Sequence, residues 1–254
     1  MGGPTRFHEF CMCAEQTSDL LNIIHEDGRL LVVNKPAGLV CHPTKGDEYS
    51  SLIGRARLHL GNGLRPHLVN RLDRETSGVT IIAKNPETAG ELGRLWEAGD
   101  VKKEYHAIVY GHPNDDHGLI EAPLGKDEQS QVAVKDCVRS DGAPSQTEYW
   151  VEKRFSRAEG NFALLRIAPL TGRKHQIRIH LAHTGHSVVG DKLYGGDEDL
   201  YLALVQDRLT EEQRHRLILP NQALHAASIQ FHWRGAQIAF CARPEKWFDA
   251  FANN

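Results

Sequence analysis

Asp73 is preceded two residues earlier by Arg71 and followed at once by Arg74, inside the polar run His67-Leu-Val-Asn-Arg71-Leu-Asp73-Arg74-Glu-Thr-Ser-Gly78. Nearby positive charge lowers a carboxyl pKa, and a carboxylate held ionised can act as a nucleophile. A surface turn knitted by ion pairs uses the same residue types and is commoner than an active site, so the run alone leaves both readings open. A second run, Thr171-Gly-Arg173-Lys174-His175-Gln-Ile-Arg178-Ile-His180-Leu-Ala-His183, is rich in cations and has no acid before Asp191. Gly172 at an expected helix start suits an anion such as phosphate, although a solvated helix face would read the same way. The third feature is Val101-Lys102-Lys103-Glu-Tyr105-His-Ala107, in which alternation puts Tyr105 and Ala107 on one strand face. An aromatic so placed either projects from a rigid platform or packs in the core.

These residues need a frame to hold them. Asn22-Ile-Ile-His-Glu and Arg29-Leu-Leu-Val-Val-Asn read as strands joined by Asp27-Gly28, a pair that supplies the positive φ angles of a tight hairpin. Ser50 to Leu60 reads as a helix stopped by Gly61, and Asn85-Pro86 opens another that ends before Gly99. Short strands are expected at Val79–Lys84 and Lys103–Gly111. Three more follow at Gln131–Val138, Thr147–Phe155 and Phe162–Ile167. Thr171 to Thr184 reads as a helix, and Ala223–Trp233 with Ala236–Ala242 as a closing hairpin around Arg234-Gly235. Grouped strands with few helices between them imply an α+β fold with a mainly antiparallel sheet and flanking helices.

A chain of 254 residues, 40% apolar and 25% charged, can bury a sizeable core and is not a disordered polypeptide. No apolar run approaches the roughly 18 residues that cross a bilayer, and the N-terminus has no apolar signal core, so the expected location is the cytoplasm. Cys11, Cys13, Cys41, Cys137 and Cys241 are scattered and odd in number, as expected of reduced thiols. Cys11-Met-Cys13 lacks a second pair. His175, His180, His183 and His186 would have Arg178 among them, so no metal is expected. The net charge of −3 argues against binding nucleic acid over the whole surface and leaves room for a local basic patch.

Taken together and in order, the blocks resemble the RluA-type (ribosomal large-subunit) pseudouridine synthases. Asn70-Arg71-Leu-Asp73-Arg74-Glu-Thr-Ser-Gly78 is similar to the family's nucleophile motif, Lys103-Glu-Tyr105-His-Ala to its tyrosine strand, and Thr171-Gly-Arg-Lys-His-Gln-Ile-Arg178-Ile-His180 to its basic motif. Asn34-Lys-Pro-Ala-Gly38, His42-Pro43 and Gln222-Ala-Leu-His225-Ala extend the likeness from about Leu20 to Phe248. Asn70 is a departure, since members usually carry histidine there.

The resemblance implies the pseudouridine synthase fold, a mixed, mainly antiparallel sheet with a central catalytic cleft. It makes residues 20–254 the catalytic domain, after a flexible arm over 1–19, with no separate N-terminal RNA-binding domain. It implies that Asp73 is the nucleophile, that Tyr105 stacks on the target base and relays a proton, and that Arg178 pairs with Asp73. Arg71 would wedge into RNA as the base leaves its stack. Arg74, Lys102, Lys103, Arg173, Lys174 and His175 would contact the RNA, whether ribosomal or transfer RNA. The family works without metal or organic cofactor, and the protein is expected to act as a monomer with no membrane partner. A non-catalytic RNA-binding module and a hydrolase that releases a free base are the alternatives. The first gives no reason for an aspartate between arginines; the second would lose the base from its substrate.

Overall fold

The computed structural model describes residues 16–17, 20–43, 48–61 and 63–253. The arm expected over 1–19 lies outside them, apart from Gln16–Thr17 (β1), which pair with the next strand. The chain forms two compact units, residues 1–103 with 226–245 and residues 104–225 with 246–254.

The first unit is built on β2 (Asn22–Glu26), β3 (Leu30–Lys35), β4 (His67–Leu68) and β5 (Ser77–Ala83), with α1 (Leu52–Leu60) and α2 (Pro86–Ala98). Every residue of β3 and β5 is buried, and the two run antiparallel from Leu30 opposite Ala83 to Lys35 opposite Gly78. A strand apolar on both faces must be covered on both. Val32, Ile81, Leu92, Ile229, Phe231 and Phe240 are part of that packing. The helices start and stop where expected. Ser51 Oγ accepts from Gly54 N–H, Asn85 Oδ1 accepts from Thr88 N–H, and Gly99 closes α2 in the left-handed conformation. The Asp27-Gly28 turn forms by a different device, since neither residue has positive φ. Asp27 Oδ1 instead accepts from the N–H groups of Arg29 and Leu30 at 2.7 Å.

The second unit carries β7 (His117–Glu121), β10 (Gln146–Arg157), β11 (Gly160–Pro169) and most of β6 (Val101–Tyr110), in the antiparallel order β6-β11-β10-β7. A separate ribbon pairs β8 (Leu124–Lys126) with β9 (Asp136–Val138). The core holds Ala107, Phe162, Leu165, Ile167, Leu181 and Phe251. It is covered by α3 (Gln176–His183) and α6 (Lys246–Asn253), while α4 (Asp199–Val205) and α5 (Glu211–Leu217) lie between α3 and β12 (Leu224–Trp233) in sequence. From Ala226 on, β12 belongs with β13 (Ala236–Cys241) to the first unit, where the two make the expected hairpin, with Arg234 and Gly235 both at positive φ.

Four further expectations are corrected. The strand read over Gln131–Val138 is regular only from Asp136. The Glu198 carboxylate gathers Ser130 Oγ, the Gln131 N–H and Lys135 Nζ, folding the first half into a turn. The helix read from Thr171 begins at Gln176, because the buried Gln176 side chain captures the preceding loop. Its Oε1 accepts from Thr171 Oγ1 at 2.7 Å and from Arg173 N–H at 3.0 Å. The hairpin does not close the chain, since α6 follows and buries Phe248 and Phe251. Cys41 and Cys137 are free thiols, whereas Cys241 is disulfide-bonded, against the expectation of reduced cysteines throughout. Among the described residues no helix is long and apolar enough to cross a membrane.

Candidate active site

In the first unit, Asp73 sits half-buried on the loop between β4 and β5, with Arg71 and Arg74 exposed on either side. The loop is pinned by main-chain groups at each step. Val69 N–H donates to Ile81 O at 2.9 Å, and Thr76 N–H donates to Asp73 O at 3.2 Å. The Asn70 side chain acts as one more strand residue, its Oδ1 accepting from Ile81 N–H at 2.8 Å and its Nδ2 donating to Val79 O at 3.1 Å. Asn70, the departure from the usual histidine, therefore ties the loop to β5. The buried Cys41 thiol donates to Leu72 O at 3.3 Å, and Leu72 N–H returns to its sulfur at 3.4 Å. Arg74 gives its Nε–H to Gly38 O, while Arg74 O accepts from Gly38 N–H. Gly78 ends the motif at φ 116°, and a Cβ there would stand 2.2 Å from Ala226 O, so only glycine fits.

Beneath this loop lies Lys35, fully buried at the end of β3. Its ammonium donates to the carbonyls of Pro36 at 2.9 Å, Leu39 at 2.8 Å and Arg74 at 3.1 Å. Burial pushes its pKa down to about 8, opposed by Cys41 and by the carboxylates of Asp73 and Glu245. Lys35 is thus a cation within electrostatic reach of Asp73. The sequence held it in Asn34-Lys-Pro-Ala-Gly38 without marking it as part of the site. Lys102 is exposed on β6, and Lys103 is half-buried with its pKa lowered by burial.

The second unit holds Tyr105, Arg173, Lys174, His175 and Arg178. Tyr105, opposite Ile167 on β6, packs half-buried against the apolar core. Arg178 on α3 is buried and forms a bidentate pair with Asp191, Nε to Oδ2 at 2.6 Å and Nη2 to Oδ1 at 2.8 Å. Burial works against charge on Asp191. The guanidinium and the N–H groups of Tyr194 and Leu193 outweigh it and hold the carboxyl below its ordinary value. Asp191 was visible in the sequence only as the first acid after the basic run, and its role depends on a contact 13 residues away. Lys174 pairs with Asp136 at 2.9 Å, and Arg173 directs its Nε–H at Pro144 O at 3.4 Å. The histidines in and around α3 part company. His175 meets Tyr194 Oη at 2.9 Å, His180 lies between Thr147 Oγ1 and Ala122 O, and His186 meets Tyr110 O. Among the described residues no cluster of three potential metal ligands occurs.

A family model described as RNA pseudouridylate synthase matches residues 29–183. The chain belongs to this family. It is 39% identical over 181 residues to an uncharacterized RNA pseudouridine synthase of Aquifex aeolicus, covering 69% of this chain and 56% of that protein. To the ribosomal large subunit pseudouridine synthase D of Zymomonas mobilis it is 34% identical over 218 residues, covering 83% and 64%. The chain therefore spans less than two thirds of the length of these relatives. Among solved structures, human RNA pseudouridylate synthase domain containing 1 matches with a TM-score of 0.69 and 26% identity over 91% of this chain and 86% of that one. The pseudouridylate synthase fold, with its mostly antiparallel sheet and flanking helices, is the fold of this chain, and the RluA-type likeness of the motifs agrees with these matches.

Proposed function

We propose that the protein is an isomerase that converts uridine to pseudouridine in RNA, with Asp73 as its nucleophile and ribosomal RNA as its substrate. The observation that carries this reading is a half-buried aspartate fixed by main-chain contacts on both sides, in a chain of this family. Relatives named for the ribosomal large subunit favour ribosomal over transfer RNA. The reaction breaks the N1–C1′ bond, turns the uracil and joins C5 to C1′; the proton lost from C5 is balanced by one gained at N1. No external reactant enters. Asp73 would either add to C1′ or take part in elimination to a glycal, splitting one hard step into two easier ones.

The base must leave its stack to be reached, at about a few kcal/mol, and exposed Arg71 suits the support of the gap it leaves. Tyr105 is assigned to stacking on the base and relaying a proton, and Arg178 to pairing with Asp73, on the likeness of their motifs. Arg74, Lys102, Lys103, Arg173, Lys174 and His175 are assigned to phosphates, which fix register without reading sequence. The test is incubation with ribosomal RNA lacking its pseudouridines, followed by intact-mass measurement and nucleoside chromatography. Pseudouridine at unchanged mass is the expected result. Loss of uracil mass would mark a hydrolase, and unaltered nucleosides with bound RNA would mark a binding module; either outcome rejects the assignment.

A further inference from the structure

Around Arg178 the second unit builds a chain of polar contacts that leads to the basic loop before α3, with Tyr194 at its centre. The Tyr194 ring lies against the Arg178 guanidinium, 4.9 Å from ring centre to carbon. Its N–H donates at 3.0 Å to Asp191 Oδ1, the same oxygen that receives Arg178 Nη2. Its hydroxyl oxygen accepts from Asp136 N–H at 3.2 Å and meets His175 Nδ1 at 2.9 Å. Asp136 in turn holds Lys174 through its carboxylate.

Resting on the functional reading above, we infer that Tyr194 is a positioning residue that couples the RNA-facing pair Lys174 and His175 to the orientation of Arg178. A phenol has one proton to give. When the Tyr194 hydroxyl donates to His175 Nδ1, that nitrogen is an acceptor and the imidazole carries its single N–H on Nε2, as a donor for a phosphate or base oxygen. Burial raises the phenol pKa above its ordinary value, which keeps that proton in place. His175 is also held at φ 55°, a left-handed conformation disfavoured for a residue with a side chain, so its neighbours must hold it there. Drawing Lys174 or His175 toward RNA would therefore be felt at the Tyr194 ring and, through it, at Arg178.

Two substitutions separate the links. Tyr194→Phe keeps the ring against Arg178 and removes the hydroxyl. Its KM for RNA should rise about fivefold or more while kcat stays within twofold of wild type. Tyr194→Leu removes the ring as well, and its kcat should fall at least tenfold in addition. A general loss of folding would lower the active fraction of both proteins without dividing KM from kcat, and active-site titration with thermal melting measures that fraction. Wild-type KM and kcat in Tyr194→Phe, or equal loss of kcat in both variants, would overturn the coupling. Should Tyr194→Leu not fold, the KM and kcat of Tyr194→Phe decide alone. A wild-type protein that makes no pseudouridine would overturn the functional reading and this inference with it, whereas an active wild type with indifferent variants overturns the inference alone.

Discussion

The loop bearing Asp73 and the helix bearing Arg178 are held by opposite means. Around Asp73 the contacts run mostly to backbone: Asn70 to Val79 and Ile81, Cys41 to Leu72, and Lys35 to three carbonyls. Around Arg178 side chains hold side chains, with Asp191 gripping the guanidinium, Tyr194 lying against it, and Gln176 meeting Thr171 and Thr147. A loop fixed through backbone presents its exposed residues without depending on them for shape. A helix fixed through buried polar side chains depends on every partner, because a half-satisfied network in low dielectric is costly. The first arrangement should tolerate loss of its reactive group, and the second should not tolerate loss of its partners.

The largest expected effect tests the tolerant side. Asp73→Asn should abolish pseudouridine formation while the melting temperature and the RNA affinity stay near wild type, affinity within about tenfold or 1.4 kcal/mol. Appreciable turnover in that variant would remove Asp73 as the nucleophile. The next tests the intolerant side: Asp191→Ala removes the bidentate carboxylate from the buried Arg178 guanidinium, and loss of one partner of a buried pair costs about 3–5 kcal/mol. Urea unfolding measures it, and a loss below about 1 kcal/mol would mean that the pair does little for the fold. A smaller effect is expected from Lys35→Met. The carbonyls of Pro36 and Leu39 lose this donor, while Arg74 O keeps Gly38 N–H; the loss costs about 1–3 kcal/mol, partly offset because an ammonium is no longer kept from water. Since burial lowers the Lys35 pKa to about 8 and its charge is within electrostatic reach of Asp73, wild-type kcat should decline as pH rises through about 8. The variant's pH profile should lack that limb; retention of the same limb would assign it to another group.

How much of this could be read from the residues follows the same division. The capped helices α1 and α2 and the Arg234-Gly235 hairpin were legible because a side chain or glycine a few residues away decides each. The polar run around Asp73 stands out in the sequence because its residues are consecutive, but the run alone leaves an ion-paired turn open as well. The start of α3 was misplaced because Gln176 spends its side chain on the loop before it and on Gln146 and Thr147, about 30 residues back in sequence. Asp191, Tyr194 and Lys35 had no local signal that set them apart, as their roles come from partners distant in sequence or from burial. The C-terminal α6 did carry a signal, apolar Phe248, Phe251 and Ala252 at helical spacing, and it was overlooked next to the stronger hairpin pattern.

The smallest expected effect separates the two regions by acid. His180 is buried on α3 with Nε2 against Ala122 O and Nδ1 against Thr147 Oγ1, and Thr147 Oγ1 also accepts from Gln176 Nε2. Those partners suit a neutral ring that donates from Nε2 and accepts at Nδ1. Burial is the main cause that lowers its pKa, with nearby His183 adding to it and the Ala122 carbonyl opposing. A folded-state pKa below the unfolded value of about 6.5 means that the unfolded chain binds the proton first as pH falls. The contribution of His180 is then complete above about pH 6.5 and is lost as pH drops toward the folded-state value, below which it levels off. Hydrogen exchange between pH 7.5 and 5, corrected for intrinsic rates, should show α3 amides losing protection while those of Asn70 to Thr76 change less. His180→Gln, which has no proton to take up, should flatten the α3 response. Parallel loss in both regions, or an unchanged α3 response in His180→Gln, would mean that acid does not act through this ring.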